Sequence, residues 1–367
     1  MGRFVQLHLL TSYPPANLNR DDLGRPKTAV MGGATRLRVS SQSLKRAWRT
    51  SDVFESALKG HVGTRTKELG VSIFESLTAK GVAEKKAIDW AQSIVGVFGK
   101  NKSLSSKEKA ELKELETSDQ RKQQLILKPL EIEQLVHFSP EELAAIDLLV
   151  DSSAASGEAP QKGELDLLRK QHSAVDIALF GRMLASSPTF NTEAAAQVAH
   201  AISVHKVAVE DDFFTAVDDL NNGEDDVGAA HMGETEFGAA LFYQYICIDK
   251  QLLQETLADE ALVKRTLAAL IEVVATVAPT GKQNSFASRA RASYILCEVG
   301  SQQPRSLSVA FLEPINSMTM LQDSISQLEK TKADMDQVYG ACADSSVVMN
   351  SVVVEGSLKD VITAAVE

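Results

Sequence analysis

Gly32-Gly33-Ala34-Thr35-Arg36-Leu37-Arg38-Val39-Ser40-Ser41-Gln42-Ser43-Leu44-Lys45-Arg46-Ala47-Trp48-Arg49 holds five cations and four hydroxyl or amide side chains in the fourteen residues from Arg36 onward. The glycine pair suits a turn. Arg36-Leu37-Arg38-Val39 alternates as a short strand with both arginines on one face. Serine is a favoured N-cap, so a helix is expected from Ser40 or Ser41. Along it Leu44 and Trp48 make an apolar i,i+4 pair, and Lys45 and Arg49 a basic one about a quarter turn away.

The field around this corner runs against the rest of the chain. The formal net charge of the protein is −11, yet residues 1–50 carry nine Lys/Arg against Asp21 and Asp22, a balance of +7 that leaves −18 elsewhere. A local basic field on an acidic protein points to one oriented anion-binding face. Amide N–H groups at a helix N-terminus attract anions, Ser40, Ser41 and Gln42 add donors, and Arg36, Arg38, Lys45 and Arg49 surround them with full charges. Two readings stand: a solvated basic helix face with a serine cap, or a phosphate site. The arginines on the preceding strand favour the second, since guanidinium forks match phosphate oxygens. No GxxxxGK[ST] or GxGxxG motif occurs, so no nucleotide cofactor is indicated.

With 367 residues, 44% hydrophobic and 24% charged, the chain fits an ordinary globular protein of two or three structural units. Cys247, Cys297 and Cys342 are far apart and form no CxxC pair, which argues for a reduced compartment without a cysteine-based zinc site. The N-terminus alternates like a strand rather than a signal peptide, and no apolar run reaches membrane-span length. A cytoplasmic protein is expected.

Phe4 to Leu10 reads as a strand, followed by a loop over 11–22 with Pro14, Pro15, Asn17 and Asn19. From about residue 64 to 150 the periodicity is helical, with a helix start at Ser139-Pro140-Glu141-Glu142. Helix is expected again at 164–171 and 193–202. Residues 202–248 return to extended character, including a strand over 242–248, and contain ten Asp/Glu and no Lys/Arg between Glu210 and Glu236. Helices at 250–257 and 260–277, a strand at 293–299, an extended segment at 307–311 and a mostly helical C-terminus complete the reading. The irregular mixture favours an α+β class over a doubly wound sheet.

Asp212-Phe213-Phe214-Thr215-Ala216-Val217-Asp218-Asp219-Leu220, followed by Asn221-Asn222-Gly223, reads either as two core phenylalanines or as a projecting hairpin with an apolar tip. The second reading makes a wedge that enters between bases or docks on a neighbouring subunit. Catalytic signatures are weak. His200 and His205 lie outside any HExxH, His8 has no accompanying nucleophile, and no metal site is indicated.

Leu18-Asn19-Arg20-Asp21-Asp22 and the segment Arg38 to Ala47 resemble the CasC family, the RNA-binding backbone subunit of the type I-E CRISPR Cascade complex. The likeness returns at Val175-Asp176-Ile177-Ala178-Leu179-Phe180-Gly181-Arg182-Met183, at Ala199-His200-Ala201-Ile202, at Phe214 to Leu220, and at Ala230-His231-Met232-Gly233-Glu234-Thr235-Glu236-Phe237. It is good over 1–50 and 172–250 and vaguer elsewhere. The resemblance implies a hand-shaped α+β protein. An RRM-like (ferredoxin-like) palm would take 1–59, 181–204 and 234–367, helical fingers 60–180, and a hairpin thumb 205–233.

It also implies a non-catalytic crRNA-binding role, with further copies stacked along one RNA, other Cascade subunits as partners, and target DNA pairing with the presented bases. The resemblance places Arg20, Arg38, Ser40, Gln42, Lys45 and Arg49 at phosphates, beside Arg36 and Arg46 of the same block. It sets Arg182 and Met183 near the RNA and makes Phe213, Phe214, Val217 and Met232 the thumb wedge. Two departures stand out. Ala34 sits where the family often has a cation, and Phe213 where tryptophan is common. An RRM-like endoribonuclease using His8 as base and a DNA-gripping module remain as alternatives.

Overall fold

A computed structural model describes residues 2–116, 119–216 and 231–367. By internal packing the chain forms two units, one comprising Met1–Ala57, Ala196–Gln251 and Ala261–Glu367, the other Leu58–Ala195 and Leu252–Glu260. Residues 181–195, expected with the palm, lie in the second unit.

In chain order the elements begin with β1 (Phe4–Ala16), β2 (Thr28–Met31), β3 (Ala34–Val39), α1 (Ser41–Arg49) and α2 (Asp52–Ala57). Next come β4 (Thr64–Thr66), α3 (Leu69–Ala79), α4 (Glu84–Val95), α5 (Ser106–Glu114), α6 (Gln120–Leu127), β5 (Val136–Phe138), α7 (Pro140–Ser156) and α8 (Val175–Phe180). They are followed by β6 (Ala196–Val198), β7 (Ala201–Ser203), β8 (Glu210–Ala216) and β9 (His231–Asp249), then α9 (Lys250–Leu257) and α10 (Glu260–Thr276). The last are α11 (Gln283–Phe286), β10 (Tyr294–Gly300), α12 (Met320–Tyr339), β11 (Ser345–Asn350) and α13 (Leu358–Val366). The class is α+β, as expected.

The first unit is built on one antiparallel sheet in the order β11-β10-β1-β9-β7-β3-β2, with β6 and β8 also pairing with β9. β1 is central, and Val5 through Leu10 are buried on both faces. It runs past Leu10 to Ala16, where a loop is expected from Pro14 and Pro15. The register against β9 shifts between Tyr13 and Ala16. Both prolines fall in that bulge, where no ladder N–H is needed. On one side of the sheet Leu10, Leu241, Tyr243, Tyr294 and Leu296 pack with Leu307, Phe311, Ile325 and Leu328.

β2 and β3 form a hairpin closed by Gly32 and Gly33, with φ of +59° and +72°. Paired left-handed residues match strand twist in a two-residue turn. A Cβ on Gly32 would stand 1.6 Å from the Leu312 carbonyl oxygen, so no larger residue fits.

The second unit packs helices around Ile73, Leu77, Trp90, Ile94, Phe98, Phe138, Ile146 and Val150. Ser139 caps α7 through a reciprocal bond with Glu142, as the Ser-Pro-Glu-Glu run predicts. Three expectations fail. In place of a helix over 193–202 stand β6 and β7, because pairing with β9 overrides the helix preference of Ala194-Ala195-Ala196. Residues 164–171 are irregular, held by the Arg169 amide bonding to Glu142. Residues 308–311 make a single 3-10 turn that buries Ala310 and Phe311.

Candidate functional site

Ser40 N-caps α1, its Oγ accepting from the Ser43 amide at 3.4 Å, while its own amide donates to Asn19 Oδ1 at 2.9 Å. The cap therefore ties the loop carrying Arg20 to the start of the helix. Leu44 and Trp48 face the core, as their spacing predicts. Around the exposed part of α1, Gln42 and Arg46 are exposed and Lys45 and Arg49 half-buried. Burial lowers the pKa of Lys45. Arg38, half-buried on β3, donates from Nη1 to Nδ1 of His200 at 2.7 Å.

Beside this corner lies an open cleft of about 560 Å³, lined by Arg20 and its loop, by Ser43, Arg46 and Ala47 of α1 and Thr50 after it, and by Thr280 and Gly281. A second cleft of about 470 Å³ shares Ala47, Thr50 and Thr280 and adds Arg289 and Arg291, both exposed. The loop over 280–291 is therefore part of the surface, although sequence reading passed over it. Its signals are local. Gly281 lies so close to the Asn17–Leu18 backbone that a Cβ would stand 2.3 Å from the Leu18 carbonyl oxygen. Lys282 and Ala287 hold φ of +51° and +47°, a left-handed conformation that costs free energy in non-glycine residues. Arg289 and Arg291 present a second basic i,i+2 pair, the spacing also found at Arg36 and Arg38.

Two expected phosphate ligands point inward. Arg36 is fully buried, and its guanidinium donates to the carbonyl oxygens of Ser203 at 2.9 Å and Phe311 at 3.0 Å. Alternation places it on the face of Arg38, but that face is covered at Arg36 by residues 308–312. Arg182, in the second unit, is 5% exposed and pairs with the fully buried Glu142 at 2.6 Å, also donating to the carbonyl of His137. Both guanidiniums are consumed by the fold, a correction to their reading as RNA ligands. Met183, next to Arg182, is 77% exposed.

β8 and β9 form the stem of the expected hairpin, paired from Glu210↔Phe237 to Ala216↔His231. Val217 and the tip lie outside the described residues. The register separates the aromatic pair. Phe213 and Met232 share one face and are 62% and 64% exposed. Phe214 lies on the other, its ring 2.5 Å from where a Cβ on Gly233 would stand. The wedge residues thus make two surfaces. At the root, Asn17 Nδ2 donates to the Glu236 carbonyl, Arg25 pairs with Glu236, and the Phe286 ring meets that of Phe237 at a tilt. The loops that wall the cleft also hold the hairpin.

His8 has no exposure. Its Nε2 bonds Glu298 at 3.1 Å and its Nδ1 meets the Tyr243 hydroxyl at 2.9 Å. Arg305 grips Glu298 with two donors, and Tyr243 accepts from the Leu307 amide. Burial lowers the pKa of His8 against the opposing pull of Glu298. No phosphodiester reaches this imidazole, so the endoribonuclease alternative loses its base. Among the described residues no group of three or more His, Cys, Asp or Glu is placed to hold a metal ion, and no helix is long and apolar enough to cross a membrane.

Comparison with known proteins follows the same lines. A solved chain described as "CRISPR RNA-guided surveillance complex, pre-nicking" superposes with a TM-score of 0.79 at 27% identity, covering 99% of this chain and 100% of that one. A second, described as "CRISPR RNA-guided surveillance complex", matches at TM-score 0.59 and 24% identity over 99% and 98%, a likeness of fold. No curated protein matches the chain. The family model described as "CT1975-like protein" matches residues 5–364, and the chain belongs to that family.

Proposed function

We propose that this protein is a non-catalytic crRNA-binding backbone subunit of a Cascade surveillance complex of the type I-E kind. In this reading it polymerises along the spacer RNA and presents bases for pairing with target DNA. The observation that carries it is the grouping of Arg20, Arg38, Gln42, Lys45, Arg46 and Arg49 on one capped strand–helix corner beside an open cleft. Donors aimed at backbone oxygens grip any sequence alike, which is what a guide-holding subunit requires. Arg289 and Arg291 extend that surface along the adjoining cleft. The first unit acts as an RRM-like palm, the second as fingers, and the β8–β9 hairpin as a thumb whose Phe213–Met232 face wedges between bases. Similarity over full length to a chain of a CRISPR RNA-guided surveillance complex supports the assembly.

Co-purification tests the reading. Expressed with a CRISPR array and partner subunits, the protein is expected as several copies on one small RNA. Recovery as an RNA-free monomer under those conditions overturns it.

A further inference from the structure

The β3–β7 pairing, Arg38↔Ile202 and Val39↔Ala201, brings the link between β6 and β7 alongside the phosphate-facing corner. His200 stands in that link, exposed, 2.7 Å from Nη1 of Arg38. A guanidinium can only donate, so Nδ1 of His200 must be an unprotonated acceptor and the imidazole neutral. The charged groups facing it are Arg38 on β3 and Lys27 before β2. Partial desolvation of the ring and these two cations lower its pKa, the imidazolium being the disfavoured form.

We propose that His200 belongs to the grip and takes up a proton when RNA binds; the inference rests on reading this corner as a phosphate site. In the free protein the neutral imidazole holds the Arg38 guanidinium. A phosphodiester arriving beside Arg38 brings negative charge to a place where His200 has met only cations, and so favours the imidazolium. Nδ1 then turns from acceptor to donor and transfers from Arg38 to a phosphate oxygen. Because His200 titrates at higher pH in the complex than in the free protein, binding absorbs a proton. Affinity therefore rises as pH falls through the interval between the two values.

Two measurements on the full chain separate this inference from the function beneath it. Without RNA, an NMR titration of the His200 ring is expected to give a pKa below about 6.5, rising in Arg38→Gln. A value at or above the ordinary one, unmoved by Arg38→Gln, removes the pairing and the inference. With unstructured RNA bearing hydroxyl ends, so that no phosphomonoester titrates, wild-type affinity is expected to tighten about three- to tenfold between about pH 8 and pH 6. His200→Gln keeps an acceptor for Arg38 but cannot titrate. It is expected to show a flat profile and to bind more weakly than the wild type at about pH 6. An unchanged pH dependence in His200→Gln overturns the linkage while leaving RNA binding intact. Absence of wild-type binding at every pH overturns the functional reading and the linkage with it, whatever the NMR titration shows.

Discussion

Arg182 and Glu142 meet at 2.6 Å with 1% and 0% of their side chains exposed, one pair binding α7 to the strand-like bridge between Arg182 and Thr192. Glu142 also caps its own helix at Ser139 and accepts from the Arg169 amide. Removing one partner strands a buried charge.

Arg182→Ala is therefore expected to lower stability by about 3–5 kcal/mol, the usual cost of breaking a buried pair. The double variant Arg182→Met/Glu142→Leu is expected to recover only part of that loss, because Glu142→Leu also leaves the Ser139 and Arg169 amides without their acceptor. Denaturant unfolding measures both, and RNA affinity of the folded double variant should stay near wild type. A specific loss of affinity with stability intact would return Arg182 to the RNA.

Lys45 and Arg49 are expected to act differently. Replacing both with alanine should weaken binding to all spacer sequences and reduce the salt slope by roughly 1.4, at about 0.7 per single-strand phosphate. Arg36→Met should leave that slope unchanged and lower the unfolding midpoint instead, because its guanidinium serves the Ser203 and Phe311 carbonyls. Affinity measured over a salt series distinguishes the two behaviours.

The two faces of the β8–β9 stem divide the wedge. Phe213→Ala is expected to cost on the order of 1–3 kcal/mol for the base it contacts, with a similar direction for Met232→Ala on the same face. Phe214 covers Gly233, and such aromatic cover of a strand glycine supports the strand pair. Phe214→Ala should loosen the stem and shift the protected nucleotides rather than erase one contact. Chemical footprinting of the bound RNA reads both outcomes; a pattern untouched by Phe213→Ala counts against the wedge.

Acid should weaken the sheet through His8. Its pKa is depressed in the folded state, so the unfolded chain binds the proton more readily. Stability is full above about pH 6.5 and falls by up to about 1.4 kcal/mol per pH unit below it. Glu298 contributes at far lower pH. Burial raises its pKa, but hydrogen bonds from His8 and Arg305 prevail and hold it at about 2, so its stabilisation is full above about pH 4.5 and is lost progressively as the pH falls toward 2. His8→Gln is expected to flatten the unfolding free energy between about pH 7.5 and pH 5.5; an unchanged slope assigns it to other groups.

The strand–helix corner was legible because its determinants are local: a serine cap, an i,i+4 apolar pair and a turn made by two glycines. The fates of Arg36 and Arg182 were not. Strand alternation puts Arg36 beside Arg38, but what covers it comes from residues 308–312, and no periodicity reports a contact at that distance in sequence. Gly281 and the Arg289–Arg291 pair escaped for the opposite reason: a loop lacks a period, and its meaning appears only when it meets the Asn17–Leu18 backbone. β6 and β7 were misread because alanine favours helix until a ladder partner is supplied by β9. His200 stood inside a recognised segment, yet only the β3–β7 register reveals its neighbour.

β1 precedes the other strands of its sheet in the chain and lies in its interior, with β9 and β10 as its neighbours. Neither exists until residues 231–249 and 294–300 have been made. At about 5–20 residues per second, the apolar stretch from Val5 to Leu10 waits roughly 15–60 s for both flanks. Until then it is an unpaired, sticky segment in a crowded cell. The sheet can close around β1 only once residues 294–300 have been made, so yield is expected to depend on chaperone supply and translation speed as well as on the stability of the finished fold.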